Sequence, residues 1–294
     1  MSNIVCFGEV LWDMFPTHKK IGGAPLNVAL RLNSFGHNVK MISAIGNDEN
    51  GKALIQHIHE TGLDTVTYIQ RLIDYKTGDV KVTLNNKGSA TYDIMYPRAW
   101  DKIELNEMSK DIVSKSNAFV FGSLITRDEV SKSTLYSLID NASYNIFDLN
   151  LRAPYYTKAI LTHLMEKADF IKFNDDELYE VASFLNSKYD SLEDNLEYIS
   201  EQTNTDHICV TRGEHGAVLL YNNALYYNNG YQIKVKDTVG AGDSFLGALI
   251  SQLLSNVEPQ KAINFACGVG ALVAQSEGAN PKLSLSEINT FINP

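Results

Sequence analysis

The sequence is short of cysteine, of basic residues and of targeting features. Its three cysteines, Cys6, Cys209 and Cys267, are far apart and lack paired spacing, so we expect reduced core residues and no disulfide or metal site. The N-terminus has no basic segment, and Glu9 and Asp13 interrupt its apolar residues. We therefore expect neither a signal peptide nor a membrane span there, and we predict a cytoplasmic protein without a membrane partner.

Basic residues are outnumbered, because 25 Lys and Arg stand against 35 Asp and Glu, a formal net charge of -10. Such an acidic balance argues against broad binding to nucleic acid, although a local basic pocket for a phosphorylated ligand is compatible with it. Of the 294 residues, 44% are hydrophobic and 20% charged, as is ordinary for a folded domain. Small-molecule chemistry is therefore the leading class of function.

Short buried strands alternate with helices along most of the chain. Apolar runs that end in Gly, Asp, Asn or Thr predict strands at 4–7, 39–45, 118–121, 145–147, 170–173 and 208–211. Helical patterns predict helices at 25–35, 51–61, 129–141, 155–167, 175–186, 192–203, 242–255, 259–276 and 284–292. This alternation predicts an α/β fold, with a mainly parallel sheet and helices on both faces.

Residues 66–96 do not follow this alternation of strands and helices. Alternating apolar residues at 80–84 and 92–96, with the turn sequence NNKG at 85–88, predict an antiparallel hairpin. Residues 66–70 are a candidate third strand of a small separate sheet. Its apolar face would need a ligand, the main domain or a second subunit to cover it. We therefore interpret it as a lid, with a stray edge hairpin as the alternative.

The most informative segment is DTVGAGD at 237–243, which leads into an apolar helix. Small residues at Gly240, Ala241 and Gly242 would let backbone N–H groups converge at the helix start. Together with the helix dipole, these groups can bind an anion such as a transferring phosphoryl group. Asp243 would then accept a proton from the attacking hydroxyl. The alternative is a glycine turn in which Asp243 only complements the dipole.

A second segment, IGGAPLN at 21–27, places two glycines before a helix and Asn27 in its first turn. The glycines allow a polyol to approach the backbone, and Asn27 offers both a donor and an acceptor; an ordinary turn is the alternative. Ligands of open parallel sheets bind where the strands end, so the polar residues there should line one crevice. They are Asp13, Ser123, 148–152, 174–177 and 211–213.

These two segments resemble the first and second signatures of the ribokinase/PfkB carbohydrate kinases, and the similarity covers nearly the whole chain. The sequences GEVLWD at 8–13 and DLNLR at 148–152 and the Ala24-Pro25 dipeptide look most like the fructokinase branch. Ribokinases have a Lys-Gly pair where Ala24-Pro25 stands, which speaks against ribose. The resemblance implies one ribokinase-like domain over 1–294, with a β lid at approximately 12–21 and 66–98.

The resemblance also implies roles for individual residues. Asp243 would be the catalytic base, and the anion hole would consist of Gly240, Ala241 and Gly242. Implied sugar ligands are Asp13, Gly23, Asn27 and Arg152. Implied nucleotide-site residues are Asn174, Glu177, Thr211, Gly213, Gly216, Cys267 and Gly270. Glu177 would organise Mg²⁺ through water, and Asp237 would hold a monovalent cation such as K⁺, unless it only hydrogen-bonds its own turn.

These features predict an ATP-dependent kinase that transfers the γ-phosphoryl group to the 6-hydroxyl of fructose. One alternative is a 2-keto-3-deoxygluconate kinase, in which Arg152 would bind the substrate carboxylate, or another sugar kinase of the family. A different class is a catalytically silent sugar or nucleotide sensor on the same fold, against which the intact Asp243 and glycine run argue. Sugar and ATP are the expected partners. A homodimer through the lids is common in the family and is one open oligomeric state.

Overall fold

The computed structural model describes residues 1–84 and 90–293, so the turn predicted at 85–88 lies outside the described residues. Strands of the described chain are β1 (Asn3–Phe7), β2 (Leu11–Met14), β3 (Lys19–Gly22), β4 (Asn38–Gly46), β5 (Ile69–Leu72), β6 (Gly78–Leu84), β7 (Ala90–Ile94), β8 (Ala118–Gly122), β9 (Asn145–Asp148), β10 (Phe170–Asn174), β11 (His207–Thr211), β12 (Ala217–Tyr221) and β13 (Ala224–Asn228). Its α-helices are α1 (Ala24–Ser34), α2 (Glu49–Glu60), α3 (Glu107–Ser114), α4 (Glu129–Ile139), α5 (Lys158–Glu166), α6 (Asp175–Phe184), α7 (Leu192–Thr203), α8 (Ala241–Leu254), α9 (Pro259–Ala274) and α10 (Leu285–Ile292).

Nine strands of the described chain form the main sheet, in the order β13-β12-β11-β10-β9-β8-β1-β4-β5. All neighbours from β11 to β5 run parallel, whereas β12 and β13 add an antiparallel hairpin at one edge. The mainly parallel sheet predicted from the sequence is confirmed. The sequence analysis did not predict β12 and β13. These two strands follow one another without an intervening helix, whereas the prediction relied on the alternation of strands and helices.

Two apolar cores lie on opposite faces of this sheet. In β1, Ile4 and Cys6 belong to one buried cluster, while Val5 and Phe7 belong to the other, because successive side chains of a strand point to opposite faces. Helices α1, α8 and α9 pack on the first face, and α4, α5, α6 and α7 pack on the second. The prediction of helices on both faces is confirmed, and all three cysteines are buried and free.

The small sheet has the strand order β3-β2-β6-β7. The predicted hairpin is present as the antiparallel pair β6 and β7, and β2 pairs with both β3 and β6. The expectation of a third lid strand at 66–70 is wrong, because Val66–Tyr68 is a short 3₁₀-helix and β5 pairs with β4 in the main sheet. Ile69 is buried in the first core, and this burial, which the sequence pattern does not reveal, decides the partner of β5.

The carboxyl ends of the parallel strands bring together segments that are distant in the sequence. Beyond the ends of β1, β8, β9, β10 and β11 lie Glu9, Ser123, Leu149, Asp175 and Arg212, all at one edge of the sheet. The strands β2 and β3 of the small sheet lie between β1 and α1 in the chain. In the part of the chain that the structure describes, no helix combines the length and apolarity needed to cross a membrane.

Candidate active site

The segment predicted to bind an anion forms the start of α8. Gly240 precedes the helix with φ of 76°, in the left-handed region that favours glycine. Ala241 begins the helix, and its N–H donates to the Thr238 carbonyl at 3.2 Å, so this amide is engaged in the turn. The N–H groups of Gly242 and Asp243 belong to the first helical turn, where amides have no intrahelical acceptor. These two groups are therefore better placed to bind an anion than that of Ala241.

A hydrogen bond joins Asp243 to the sugar-binding candidate Asn27. Asn27 Nδ2 donates to Asp243 Oδ2 at 2.8 Å, and Asn27 Oδ1 accepts from Asn280 Nδ2 at 2.7 Å. Burial and then the Asp148 charge raise the pKa of Asp243 to about 6, although Asn27 and Lys172 act in the opposite direction. The carboxylate is thus mostly ionised at neutral pH and is able to accept a proton.

A buried ion pair lies next to this helix start. Lys172 of β10 and Asp148 of β9 are cross-strand neighbours, with Lys172 Nζ 3.0 Å from Asp148 Oδ1. Burial opposes the charge of Lys172, but the carboxylates of Asp148, Glu177 and Asp243 outweigh it and raise the pKa of Lys172. A Cβ on Gly242 would lie 3.6 Å from Nζ. The ammonium group therefore flanks the candidate anion site.

Asn174 and Glu177 form a capping box at the start of α6. Asn174 Oδ1 accepts from the Glu177 N–H, and Glu177 Oε2 accepts from the Asn174 N–H, each at 2.8 Å. Glu177 Oε1 also accepts from the Leu151 N–H at 2.8 Å, which ties the loop after β9 to α6. Burial raises the pKa of Glu177, with Lys172 opposing the shift. The pair thus has a structural role that the motif alone did not reveal.

The surroundings of Glu177 do not form a closed metal cage. Within residues 1–84 and 90–293, no group of three or more His, Cys, Asp or Glu side chains is arranged to hold a metal ion. Mg²⁺ commonly keeps several waters and binds through one or two carboxylates together with substrate phosphates. Each oxygen of Glu177 accepts one N–H and retains a second lone pair. The residue therefore fits an indirect, water-mediated contact with Mg²⁺.

The sugar-binding candidates Asp13 and Gly23 come from the lid and from the start of α1. Asp13 lies on β2, and burial raises its pKa to about 6, with Lys20 opposing the shift. Gly23 precedes α1 with φ of 112°, and a Cβ there would collide with the Glu9 carbonyl. Only glycine fits at this position, because the chain takes a positive φ there and passes close to the Glu9 backbone.

The sugar-binding candidate Arg152 lies in the loop after β9. Its side chain is exposed and donates to the Leu151 carbonyl at 2.9 Å. The positive charge of Arg152 is among the influences that lower the pKa values of Asp243 and Glu9, so it lies within electrostatic reach of both. Its guanidinium group keeps further donors that suit a sugar hydroxyl or a carboxylate.

Asp237 bonds to its own loop and to a lysine of the lid. Its Oδ1 accepts from the Val239 N–H at 3.1 Å and its Oδ2 from the Gly278 N–H at 3.2 Å. Lys20 Nζ of β3 lies 3.3 Å from Oδ2 and links the lid to the loop before α8. Asp13, Lys20 and Asp237 line a cleft of about 130 Å³. The bond to Val239 is the one expected of a turn residue, and Lys20 already supplies a positive charge at this carboxylate.

The nucleotide-site candidates lie along β11, the following turn and α9. Thr211 ends β11, and Gly213 and Gly216 adopt φ of 55° and 80°. A Cβ on Gly216 would collide with the end of β13, so the turn requires glycine there. Cys267 is buried in α9, and a Cβ on Gly270 would lie 3.5 Å from a backbone carbonyl at the start of α8. This part of α9 is therefore adjacent to the anion-site segment.

Four residues enter the site that the sequence analysis did not assign to it: Glu9, Lys20, Lys172 and Asn280. The sequence could have pointed to Lys172, because it is a lysine inside an otherwise apolar strand. The sequence gives a weaker indication for Glu9, which follows a buried strand and a glycine. Lys20 and Asn280 have no local signal, and only the fold brings them to Asp237 and Asn27.

Comparisons with known proteins agree with this architecture. A sequence model described as pfkB family carbohydrate kinase matches residues 2–285. Probable fructokinase-6 of Arabidopsis thaliana is 28% identical over 314 residues, which covers 97% of this chain and 80% of that protein. A double mutant of Vibrio cholerae fructokinase, bound to fructose, ADP and potassium ion, has a TM-score of 0.84 at 24% identity, with 100% and 99% of the two chains covered. The 2-dehydro-3-deoxygluconokinase of Thermotoga maritima has a TM-score of 0.87 at 23% identity, with 100% of both chains covered. At these identities the two structures bear on the fold alone.

Proposed function

The chain belongs to the pfkB family of carbohydrate kinases, and from this premise we propose that it transfers the γ-phosphoryl group of ATP to the 6-hydroxyl of fructose. The observation that carries the proposal is the 2.8 Å hydrogen bond between Asn27 and Asp243. It joins the candidate sugar ligand to the candidate base at the start of α8. A sugar hydroxyl that binds Asn27 is therefore close to a carboxylate that can take its proton.

In the proposed reaction, Asp243 accepts the proton of the 6-hydroxyl as that oxygen attacks the γ-phosphorus. Its pKa of about 6 keeps it ionised at neutral pH while leaving it basic enough to act. The N–H groups of Gly240, Gly242 and Asp243 and the Lys172 ammonium stabilise the charge of the phosphoryl group in transfer. Ala241 contributes mainly by starting the helix, since its amide is engaged in the turn.

Glu177 is the residue that we propose to hold Mg²⁺, through water, with Asn174 keeping its carboxylate in position. When bound, Mg²⁺ neutralises charge on the phosphate oxygens of ATP. Thr211, Gly213 and Gly216 would contact the nucleotide, and the part of α9 with Cys267 and Gly270 would form a wall of the adenine pocket. The glycine conformations at 213 and 216 and the closeness of α9 to α8 support this arrangement.

The assignment of fructose draws on Asp13, Gly23, Asn27 and Arg152 as hydroxyl ligands and on the names of relatives such as probable fructokinase-6. The second candidate is 2-keto-3-deoxygluconate. The exposed guanidinium of Arg152 favours it, because a carboxylate accepts two parallel hydrogen bonds from this group. A homodimer through the lids stays a prediction; Tyr92 on β7, 51% exposed, is an apolar candidate for that contact, and light scattering tests it.

A coupled assay of ADP release tests the proposed function. The panel contains fructose, ribose, 2-keto-3-deoxygluconate, tagatose 6-phosphate, fructose 1-phosphate and adenosine. We expect the highest kcat/KM for fructose. A tenfold preference for 2-keto-3-deoxygluconate, about 1.4 kcal/mol of transition-state binding, assigns the chain to the second candidate. Silence with every substrate favours a sugar or nucleotide sensor.

A further inference from the structure

Three buried side-chain oxygens near the candidate sugar site line one small cavity. They are Glu9 Oε2, Ser123 Oγ and Asp148 Oδ2, and none has a hydrogen-bond partner within the described chain. Glu9 and Asp148 are each 4% exposed and Ser123 is 1% exposed. Buried polar atoms without a partner are rare in folded proteins and cost free energy, so three around one cavity indicate a missing polar group.

The cavity has room for one oxygen-sized group. Its volume is about 10 Å³, close to the minimum that a single water molecule needs. Carboxylate oxygens accept hydrogen bonds, and the Ser123 hydroxyl can both donate and accept. A hydroxyl group can serve two of these oxygens at once, because it donates one hydrogen bond to a carboxylate and accepts another from serine. An aliphatic group would leave all three oxygens unsatisfied.

The walls of the cavity place it against the sugar site. Ala24 and Pro25, which directly follow the sugar candidate Gly23, form one side, and Asn150 forms another, two residues before Arg152. Burial raises the pKa of Glu9 to about 7, and the charges of Arg152 and Asp243 also act on it. Glu9 is therefore near both the sugar-binding candidates and the candidate base.

We propose that this cavity is a subsite for one hydroxyl group of the sugar, and that Glu9 and Ser123 determine which sugars are accepted. The inference rests on the proposed function and adds two specificity residues to it. Asp148 contributes its free oxygen while its other oxygen stays bound to Lys172. A site built to bind a hydroxyl rejects an analogue that lacks it, since the buried oxygens are then left unpaired.

A series of single-deoxy analogues of fructose tests the subsite. The wild-type protein should lose about a hundredfold or more in kcat/KM with the one analogue that lacks the bound hydroxyl, and much less with the others. Glu9→Gln, which keeps the side-chain shape, and Ser123→Ala should each lower kcat/KM for fructose but hardly change it for that analogue. The ratio between fructose and this analogue should therefore fall to about tenfold or less.

Ser131→Ala is the matched control, because Ser131 is also a buried serine but bonds to the Trp100 carbonyl, away from the site. It should lower the melting temperature and leave every ratio between fructose and its analogues unchanged. If Glu9→Gln fails to fold, Ser123→Ala gives the same readout.

A structural water in the cavity gives a different pattern. Both variants then change kcat/KM for fructose and for every analogue by one common factor, which overturns the subsite while the kinase activity stands. The wild-type activity on fructose is measured first. Its absence contradicts the proposed function and, with it, the subsite.

Discussion

The two ends of the candidate site differ in how many of their polar groups already have partners. At the phosphoryl end, formed by Asp243, Lys172 and Glu177, the side chains are held by Asn27, Asp148 and backbone amides. At the sugar end, formed by Glu9, Ser123 and Arg152, two buried oxygens have no partner in the described chain and Arg152 is exposed. The phosphoryl end is organised in advance, as electrostatic catalysis requires, whereas under the proposed subsite the sugar end is completed by its ligand.

Replacement of the candidate base at the phosphoryl end should lower turnover more than any other change considered below. Asp243→Asn should keep the fold and sugar binding but lower kcat by about a hundredfold or more, because no carboxylate then accepts the proton. Steady-state kinetics and thermal unfolding measure the two effects. Asp194→Asn is a matched control, since Asp194 is an exposed carboxylate in the first turn of α7 and its loss should leave kcat unchanged. Near-normal turnover of a folded Asp243→Asn protein removes Asp243 from the mechanism.

Lys172 should come next in effect. Lys172→Met removes a positive charge beside Gly242 and should lower kcat by about tenfold to a hundredfold. It also leaves Asp148 unpaired in the interior, which costs about 3–5 kcal/mol of unfolding free energy. The double variant Lys172→Met/Asp148→Asn should recover much of that stability but not kcat.

Recovery of both stability and kcat in the double variant would reduce Lys172 to a structural residue. Lys167→Met serves as the control, because Lys167 forms an exposed ion pair with Asp140 that contributes less than about 1 kcal/mol. This control should change neither quantity appreciably.

The pH profile should show the charge state that the phosphoryl end requires. With a pKa of about 6 for Asp243 in the free protein, kcat/KM should fall about tenfold between pH 7 and pH 5 as the carboxylate becomes protonated. Lys172 lowers this pKa, so the acid limb of Lys172→Met should move to higher pH. An acid limb that stays in place in that variant contradicts the electrostatic link between the two residues.

The smallest effect concerns potassium. Because Lys20 already places an ammonium group 3.3 Å from Asp237 Oδ2, K⁺ should raise the kcat of the wild-type protein by no more than about twofold. In Lys20→Met the carboxylate lacks that charge, so the activation should be larger. Titration of potassium chloride against a large-cation salt at fixed ionic strength measures both. If K⁺ raises kcat equally in the wild-type protein and in Lys20→Met, the Lys20 ammonium does not substitute for K⁺ at Asp237.

Local sequence predicted those parts of the site that lie within one continuous segment. Gly240 to Asp243 are consecutive, and their small size and charge indicate the helix start directly. The bond from Asn280 to Asn27 and that from Lys20 to Asp237 join residues more than 200 positions apart, so no local pattern predicts them. Six strands of the main sheet, β1, β4, β8, β9, β10 and β11, were predictable for the same reason, because each is a largely apolar run in the sequence.

The lid shows where such reasoning fails. Alternating residues at 80–84 and 92–96 predicted β6 and β7, but the assignment of residues 66–70 to the same small sheet was wrong. An alternating strand has one apolar face, and the sequence does not say which core will cover it. Ile69 is buried in the first core of the main sheet, and β5 therefore pairs with β4.

The product formed from fructose is the direct test of the proposed phosphoryl transfer. The wild-type protein is incubated with fructose, ATP and Mg²⁺, and the phosphorylated sugar is identified by phosphorus NMR while ADP is quantified. We expect fructose 6-phosphate in equal amount to ADP. Phosphate on another hydroxyl, or no product from fructose while another sugar of the panel is converted, contradicts the proposed transfer.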